Sequence, residues 1–330
     1  MRKRDITSNQ YLQDKARIAD LLNTAVLRGK HLVRPEDIQE WNPVNTAAPN
    51  YRDILNKVIF GCHAVFIGIE NQNKLHYAMP VRTMGYDYSR YRAQYETIKK
   101  RHKQQKDLKT SAEYLSGFSA QDSLEAVITI VVYYGEEPWR GPRCLKDLLN
   151  LEEIPEELLD YINDYPLHII EAAHFEDPEL FETDLKLVFG CLKYQNHPDH
   201  FQQFLQQNRR NFQELAEDAY DMIATFCHAA QLKELKHTAA ISEDNTEGGN
   251  VDMCKAIDEL ERRAREEGIA LGEKRGVTLG IERGIERGIE MFILDNLEEG
   301  KTAQLIKDKL IRRFQLTIEQ AEAYYLRFAG

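Results

Sequence analysis

Residues 51–74 read YRDILNKVIFGCHAVFIGIENQNK, two β-type runs on either side of Gly61-Cys62. A two-residue loop with glycine first suits a type II′ hairpin turn. Phe60 then pairs with His63, and counting outward from that pair sets Asp53 opposite Glu70. Directly opposite residues share a face, with Cβ atoms about 5 Å apart. Alternation carries Gln72 and Lys74 onto the same face. The apolar hairpin thus ends in one polar cluster of Asp53, Glu70, Gln72 and Lys74. Two carboxylates that close repel unless a divalent cation or a proton sits between them. The cluster depends on register, because a slip of one residue sends Asp53 to the other face. Spacing alone leaves two readings open: a solvated hairpin end, or a site held up by a rigid strand.

Outward from the hairpin, the pattern alternates between β and α character. Residues 9–28 predict a helix with Ile18, Leu21, Leu22, Ala25 and Val26 on one face, closed by Gly29. A helix is predicted from about 78 to 108, with Met84, Tyr88, Tyr91, Tyr95 and Ile98 as its apolar stripe. AVITIVVYY (126–134), closed by Gly135, reads as a strand buried on both faces. LHIIEA (167–172) is a further short strand, and helices are predicted at about 178–195 and 198–234. Trp139, just past the strongest strand, reads as a cap on the core. This order describes an α/β core with a mixed sheet over residues 1–235. HTAAISEDNTEGGN lacks a hydrophobic period, so 236–251 reads as a linker and 252–330 as a helical tail.

The tail repeats with a period of four: Gly268, Gly272, Gly276, Gly280, Gly284 and Gly288. Each glycine costs a helix up to about 1 kcal/mol relative to alanine, so propensity does not select the repeat. Small residues four apart let two helices approach closely, which makes a homo-oligomer one reading and a helical spacer the other. The interleaved Glu and Arg residues exclude a membrane span there. Beyond the repeat, Thr302–Phe314 and Thr317–Phe328 predict a small helical hairpin, with Thr317 as a cap.

The 330 residues are 42% hydrophobic and 29% charged, an ordinary globular balance. Five cysteines, odd in number and never as CxxC, point to reduced thiols in a cytoplasmic protein and away from a zinc site. The net charge of −11 is unevenly spread. Residues 74–109 hold ten Lys or Arg against three acids, whereas 151–185 hold twelve acids and no Lys or Arg. A local basic segment can bind phosphates on an acidic chain, and a solvated helix face gives the same pattern.

An acid-bearing strand, a hairpin, then Glu-x-Gln ending an apolar strand resembles the PD-(D/E)XK nuclease superfamily. More narrowly, the chain resembles the bacterial PD-(D/E)XK-family transposases, which include the recombination-promoting nucleases. The matching text is IADLLNTAVLRG, PEDIQEWNP, YRDILNKV, FIGIENQNKLHYAMPVRTMGYDYSRYRAQ, ITIVVYYGEEPWRGP, GGNVDMCKAI and the Gly-Ile-Glu-Arg tail. The resemblance implies a restriction-endonuclease-like fold that cuts DNA with Mg²⁺. It implies Asp53 and Glu70 as metal ligands, with the Asn71 backbone carbonyl adding a third. Asp20 holds the place of an assisting helical acid, although helical phase sets it opposite Ile18 and Leu22, as a solvated surface acid would be. The motif's lysine is replaced by Gln72, which can orient a water and cannot carry charge; Lys74 is the candidate to restore it. The following helix would lie along DNA, with Arg82, Arg90, Arg92, Lys99, Lys100, Arg101 and Lys103 as phosphate contacts. The competing class is a catalytically silent nuclease fold kept as a binding or assembly module.

Overall fold

The computed structural model describes residues 3–41, 53–227, 230–239 and 249–329. It divides into two compact units, residues 1–258 and 259–330. The first unit opens with α1 (Lys3–Tyr11) and α2 (Lys15–Leu21), the latter running on through a π-helical turn, Leu22–Val26. The helix predicted over 9–28 is therefore broken. Asp14 stands in extended conformation between the two pieces and its side chain accepts the Arg17 N–H, a cap that starts α2 afresh.

Five strands follow in chain order and lie in chain order: β1 (Ile38–Glu40), β2 (Ile54–Phe60), β3 (His63–Gln72), β4 (Ala126–Tyr133) and β5 (His168–Glu171). The first three are antiparallel, while β3–β4 and β4–β5 are parallel, so the sheet is mixed. Gly61 takes φ +61° while Cys62 does not enter the positive region, the pattern expected of a II′ turn. The register runs from Phe60↔His63 to Ile54↔Ile69. Strand β3 is central, and Phe66 to Asn71 are buried without interruption.

Helix α3 (Met79–Gln105) connects β3 to β4. Pro80 in its first turn pre-sets the helical φ, and Lys106 ends it in the left-handed region. Its buried residues are Met79, Pro80, Thr83, Asp87 and His102. The tyrosine stripe predicted as core is not buried: Tyr88 is 60% exposed and Tyr91 36%. The inward face is polar instead. Asp87 accepts the Thr129 hydroxyl of β4 at 2.6 Å and the Tyr165 hydroxyl, and Arg90 stacks 3.6 Å from the Phe66 ring centroid. An apolar patch of Met79, Val131, Tyr133 and Trp139 closes one end of this layer, with Trp139 capping the core as predicted.

Short α4 (Ser111–Ser116) and α5 (Glu156–Leu159) precede the helices of the C-terminal part of this unit. These are α6 (Leu185–Tyr194), α7 (Pro198–Gln207), α8 (Arg209–Gln213), α9 (Glu217–Phe226) and α10 (Ala230–Ala239). They are more segmented than the sequence pattern predicts: Pro178–Leu180 is only a 3-10 turn, and the run that begins at Pro198 as predicted is interrupted at Asn208 and at β6 (Leu215–Ala216), which pairs with β7 (Asn250–Val251). Buried Arg17 ties three elements together. Its guanidinium is bidentate to Asp184 at 2.8 Å for both bonds, donates to Asp218 at 2.8 Å, and lies 4.0 Å from the Tyr11 ring centroid. Of the predicted linker, residues 236–239 finish α10 and 240–248 lie outside the described residues.

Helix α11 (Met253–Glu298) carries the glycine repeat; α12 (Ala303–Phe314) and α13 (Ile318–Phe328) are the hairpin expected beyond it. Thr317 accepts the Gln320 N–H while Gln320 reaches back, a complete capping box. Ile289, Ile293, Ile306, Leu310 and Ala321 form the core of the second unit. Among the described residues, no helix is long and apolar enough to cross a membrane.

Candidate active site

The site is built where three elements meet the end of β3. Extending the observed register by one residue sets Asp53 across from Glu70, as the hairpin count predicts. Glu70 points to the α3 side of the sheet, fully shielded from solvent, and the Arg82 guanidinium lies 3.0 Å from its Oε2. Arg82 also donates through Nε to the Tyr86 hydroxyl one helical turn on. Partial burial alone would lower the Arg82 pKa; the Glu70 charge, the Tyr86 hydroxyl and the Asp53 charge outweigh it and raise it. Burial and the Glu70 charge also push the Tyr86 hydroxyl up, with Asp53 contributing. Asp53 and Glu70 therefore act on one shared pair of side chains.

Asp53 is held from the other side. Its Oδ2 accepts the Asn71 backbone N–H at 2.9 Å, and its Oδ1 accepts Asn9 Nδ2 of α1 at 3.0 Å. Asn71 in turn donates through Nδ2 to Asn9 Oδ1 at 2.8 Å and accepts the Tyr134 hydroxyl at 2.9 Å. Burial pushes the Tyr134 hydroxyl well above its ordinary value, with the Asp53 charge adding to the rise. Each member fixes the next, so the Asp53 carboxylate is oriented before anything binds. The adjacent residues of β3 divide the work by strand alternation: Glu70 faces α3, and Asn71 faces α1.

The other sequence-predicted residues are placed as follows. Gln72 ends β3 with a half-buried side chain, and its carbonyl accepts the Tyr134 N–H at 2.8 Å. Lys74 does not continue the Glu70 face by alternation, because β3 stops at Gln72; Lys74 is exposed in the bend beyond. Asp20 is not a surface acid. It is buried and accepts the Thr24 hydroxyl at 3.1 Å, the Glu182 N–H at 2.9 Å, and the Thr183 N–H and hydroxyl at 2.7 Å each. These bonds tie α2 to the segment before α6, and none of them runs to the hairpin end.

The basic helix sorts into two sets. Arg82 faces Glu70, Arg90 packs on Phe66 and Trp41, and Arg101 pairs with Asp122, so these three are already engaged within the fold. Arg92, Lys99, Lys100 and Lys103 are exposed. His102 lies beneath them, 2.6 Å from both Asp107 and Asp122. Sequence reasoning missed Asn9, Tyr86 and Tyr134 as site residues. Tyr134 left a signal, a hydroxyl at the end of the most apolar strand; Asn9 left none.

The donor set is chemically suited to a hard divalent cation: two carboxylates, oxygen-only, with one of them oriented by amide donors. No cluster of three or more His, Cys, Asp or Glu residues suited to a metal occurs among the described residues, so any metal here would take few protein ligands. An acid near the end of the central strand, a second just before its neighbour β2 and an arginine from the crossover helix make the candidate site of a mixed α/β protein. The sequence of this region carries a family signature: a family profile described as "Putative transposase, YhgA-like" matches residues 50–222, more than half of the chain. The chain belongs to that family, whose description points to transposition. Neither the curated proteins nor the solved structures yield a match.

Proposed function

We propose that this chain is a Mg²⁺-dependent DNA endonuclease of restriction-endonuclease-like fold, acting with low sequence selectivity in recombination or transposition. The observation that supports it most is the meeting of Asp53, Glu70 and Arg82 at the end of β3. Asp53 and Glu70 would hold the metal, with the Asn71 carbonyl beside them. Bound there, the metal would polarise the phosphate and lower the pKa of a water. The chain's own contribution is orientation. Asn9 and Asn71 fix Asp53, Gln72 offers an amide to position the attacking water, and Arg82 places positive charge beside the carboxylates. Lys74 sits one bend away and exposed; turnover unchanged in Lys74→Ala removes it from the mechanism. Exposed Arg92, Lys99, Lys100 and Lys103 would meet phosphates without choosing bases. Cutting both strands needs two such sites, and the repeat on α11 is the surface through which a second copy would supply one.

The test is supercoiled plasmid incubated with the pure protein and either Mg²⁺ or EDTA. Nicking with Mg²⁺ and none with EDTA is the expected result. Intact plasmid in both, with the protein shown to be folded, refutes the nuclease reading. The half-buried Gln72 in place of a lysine then favours the silent binding module.

A further inference from the structure

The Glu70 side chain has no solvent exposure, yet the reading above gives it a hydrated cation to bind. A carboxylate that water does not reach cannot take up such a cation until a neighbouring group moves. The geometry identifies that group. The Arg82 guanidinium lies 3.0 Å from Glu70 Oε2, and one third of the Arg82 side chain is in solvent. Its other partner, the Tyr86 hydroxyl, belongs to the same helix, so the pair can swing together without disturbing the sheet. The backbone around Arg82 is secured independently: its N–H donates to the Ala78 carbonyl at 3.1 Å, and Thr83 donates to Met79 and Pro80 at 3.1 Å each. Movement is thereby confined to the long side chain, whose rotamers exchange far faster than a helix shifts.

We propose that Arg82 is an exchangeable counter-ion: it neutralises Glu70 while the site is empty, and a divalent cation displaces it toward the solvent side, where the phosphate must lie. One residue then serves two states. Before binding, its charge offsets that of a desolvated carboxylate, which would otherwise be costly. After binding, the guanidinium offers a planar donor fork to a phosphate oxygen, a geometry that an ammonium lacks. Arg82 is thus a positioning residue whose release is coupled to metal entry. This inference rests on the metal site proposed above.

The coupling predicts a sign that a purely structural arginine would not give. Removing the competing cation should make metal bind more tightly while it weakens the phosphate contact. Mn²⁺ binding to the full chain is read by titration calorimetry for wild type, Arg82→Gln, Arg82→Lys and Glu70→Gln, with circular dichroism confirming each fold. Arg82→Gln should bind Mn²⁺ roughly tenfold more tightly, the worth of one charge-assisted contact. It should also lower the melting temperature of the metal-free protein and raise the KM for a short duplex. Arg82→Lys should return the Mn²⁺ affinity to within a few-fold of wild type, because it keeps the charge.

Equal or weaker Mn²⁺ binding in Arg82→Gln, with Glu70→Gln abolishing it, overturns the counter-ion role and leaves the metal site standing. Wild type that binds no Mn²⁺ overturns both. A variant that fails to fold is replaced in the same assay by Tyr86→Phe. That change removes the hydroxyl that Arg82 donates to, and wild-type affinity in Tyr86→Phe counts against the swing.

Discussion

On the proposed function, Arg82 would supply from another element the charge that Gln72 lacks. The strand offers an amide where a cation would serve, and α3 brings a guanidinium to 3.0 Å from Glu70. The Asp53–Glu70 pairing was legible from sequence because hairpin register is local arithmetic, fixed by Gly61-Cys62 and a period of two. The partner of Glu70 was not, because it depends on how a 27-residue helix docks on the sheet. Arg82 was read as a phosphate contact for its charge, and that charge is already engaged. The same holds at His102, which sequence left unremarked. Hydrogen bonds to Asp107 and then Asp122 raise its pKa from an ordinary 6.5, and Arg101 lies against the same Asp122. Asp107 is lowered chiefly by His102; for Asp122, desolvation works the other way and is outweighed by the Ser119 N–H and His102. A raised histidine stabilises the fold fully below about pH 6.5 and less as pH climbs through its folded pKa. The lowered acids stabilise above about pH 4 and lose that effect as pH falls. His102→Gln should therefore shift the urea midpoint most between about pH 4.5 and 6.5, with the gap narrowing toward pH 9. A gap that is constant across this range contradicts the ion-pair account.

At the scale of elements, strands and caps were easier to read than helix faces. The strands of the hairpin and β4 follow from β-branched runs closed by glycine, and the last helix from its Thr317 cap. Helix α3 misleads because its inward face is polar: Thr83 donates to carbonyls of its own first turn, Asp87 accepts the Thr129 hydroxyl of β4 and Arg90 packs on Phe66, while Tyr88 lies outward. A hydrophobic period locates a buried face only where apolar burial fills it. Glycines separate in the same way. A Cβ on Gly190 in α6 would come within 2.1 Å of the Phe204 ring, whereas one on Gly276 or Gly280 would meet nothing within 4 Å. Gly190→Ala should accordingly destabilise the first unit by about 1–3 kcal/mol through overpacking. Gly276→Ala and Gly280→Ala should each stabilise α11 by up to about 1 kcal/mol. Thermal melts followed by circular dichroism distinguish the two cases, and equal effects at both places would contradict the packing described.

For the whole molecule, an acidic chain places the candidate site and the exposed basic residues of α3 in one compact unit, residues 1–258, and carries a separate helical unit, 259–330. The family match falls within the first of these and spans both carboxylates and α3. That distribution supports the proposal that the first unit carries the catalytic site. The central claim is that Asp53 and Glu70 work as one metal-binding pair, and it is tested most directly by cleavage of a labelled DNA duplex under excess protein. The variants are Asp53→Asn and Glu70→Gln, near-isosteric changes that remove charge and little volume. With Mg²⁺, each should fall at least about a hundredfold below wild type, and the double variant should fall no further than the lower single, because the two ligands act as a unit. Cleavage that persists at the wild-type rate in either variant, or that proceeds equally in EDTA, would contradict it.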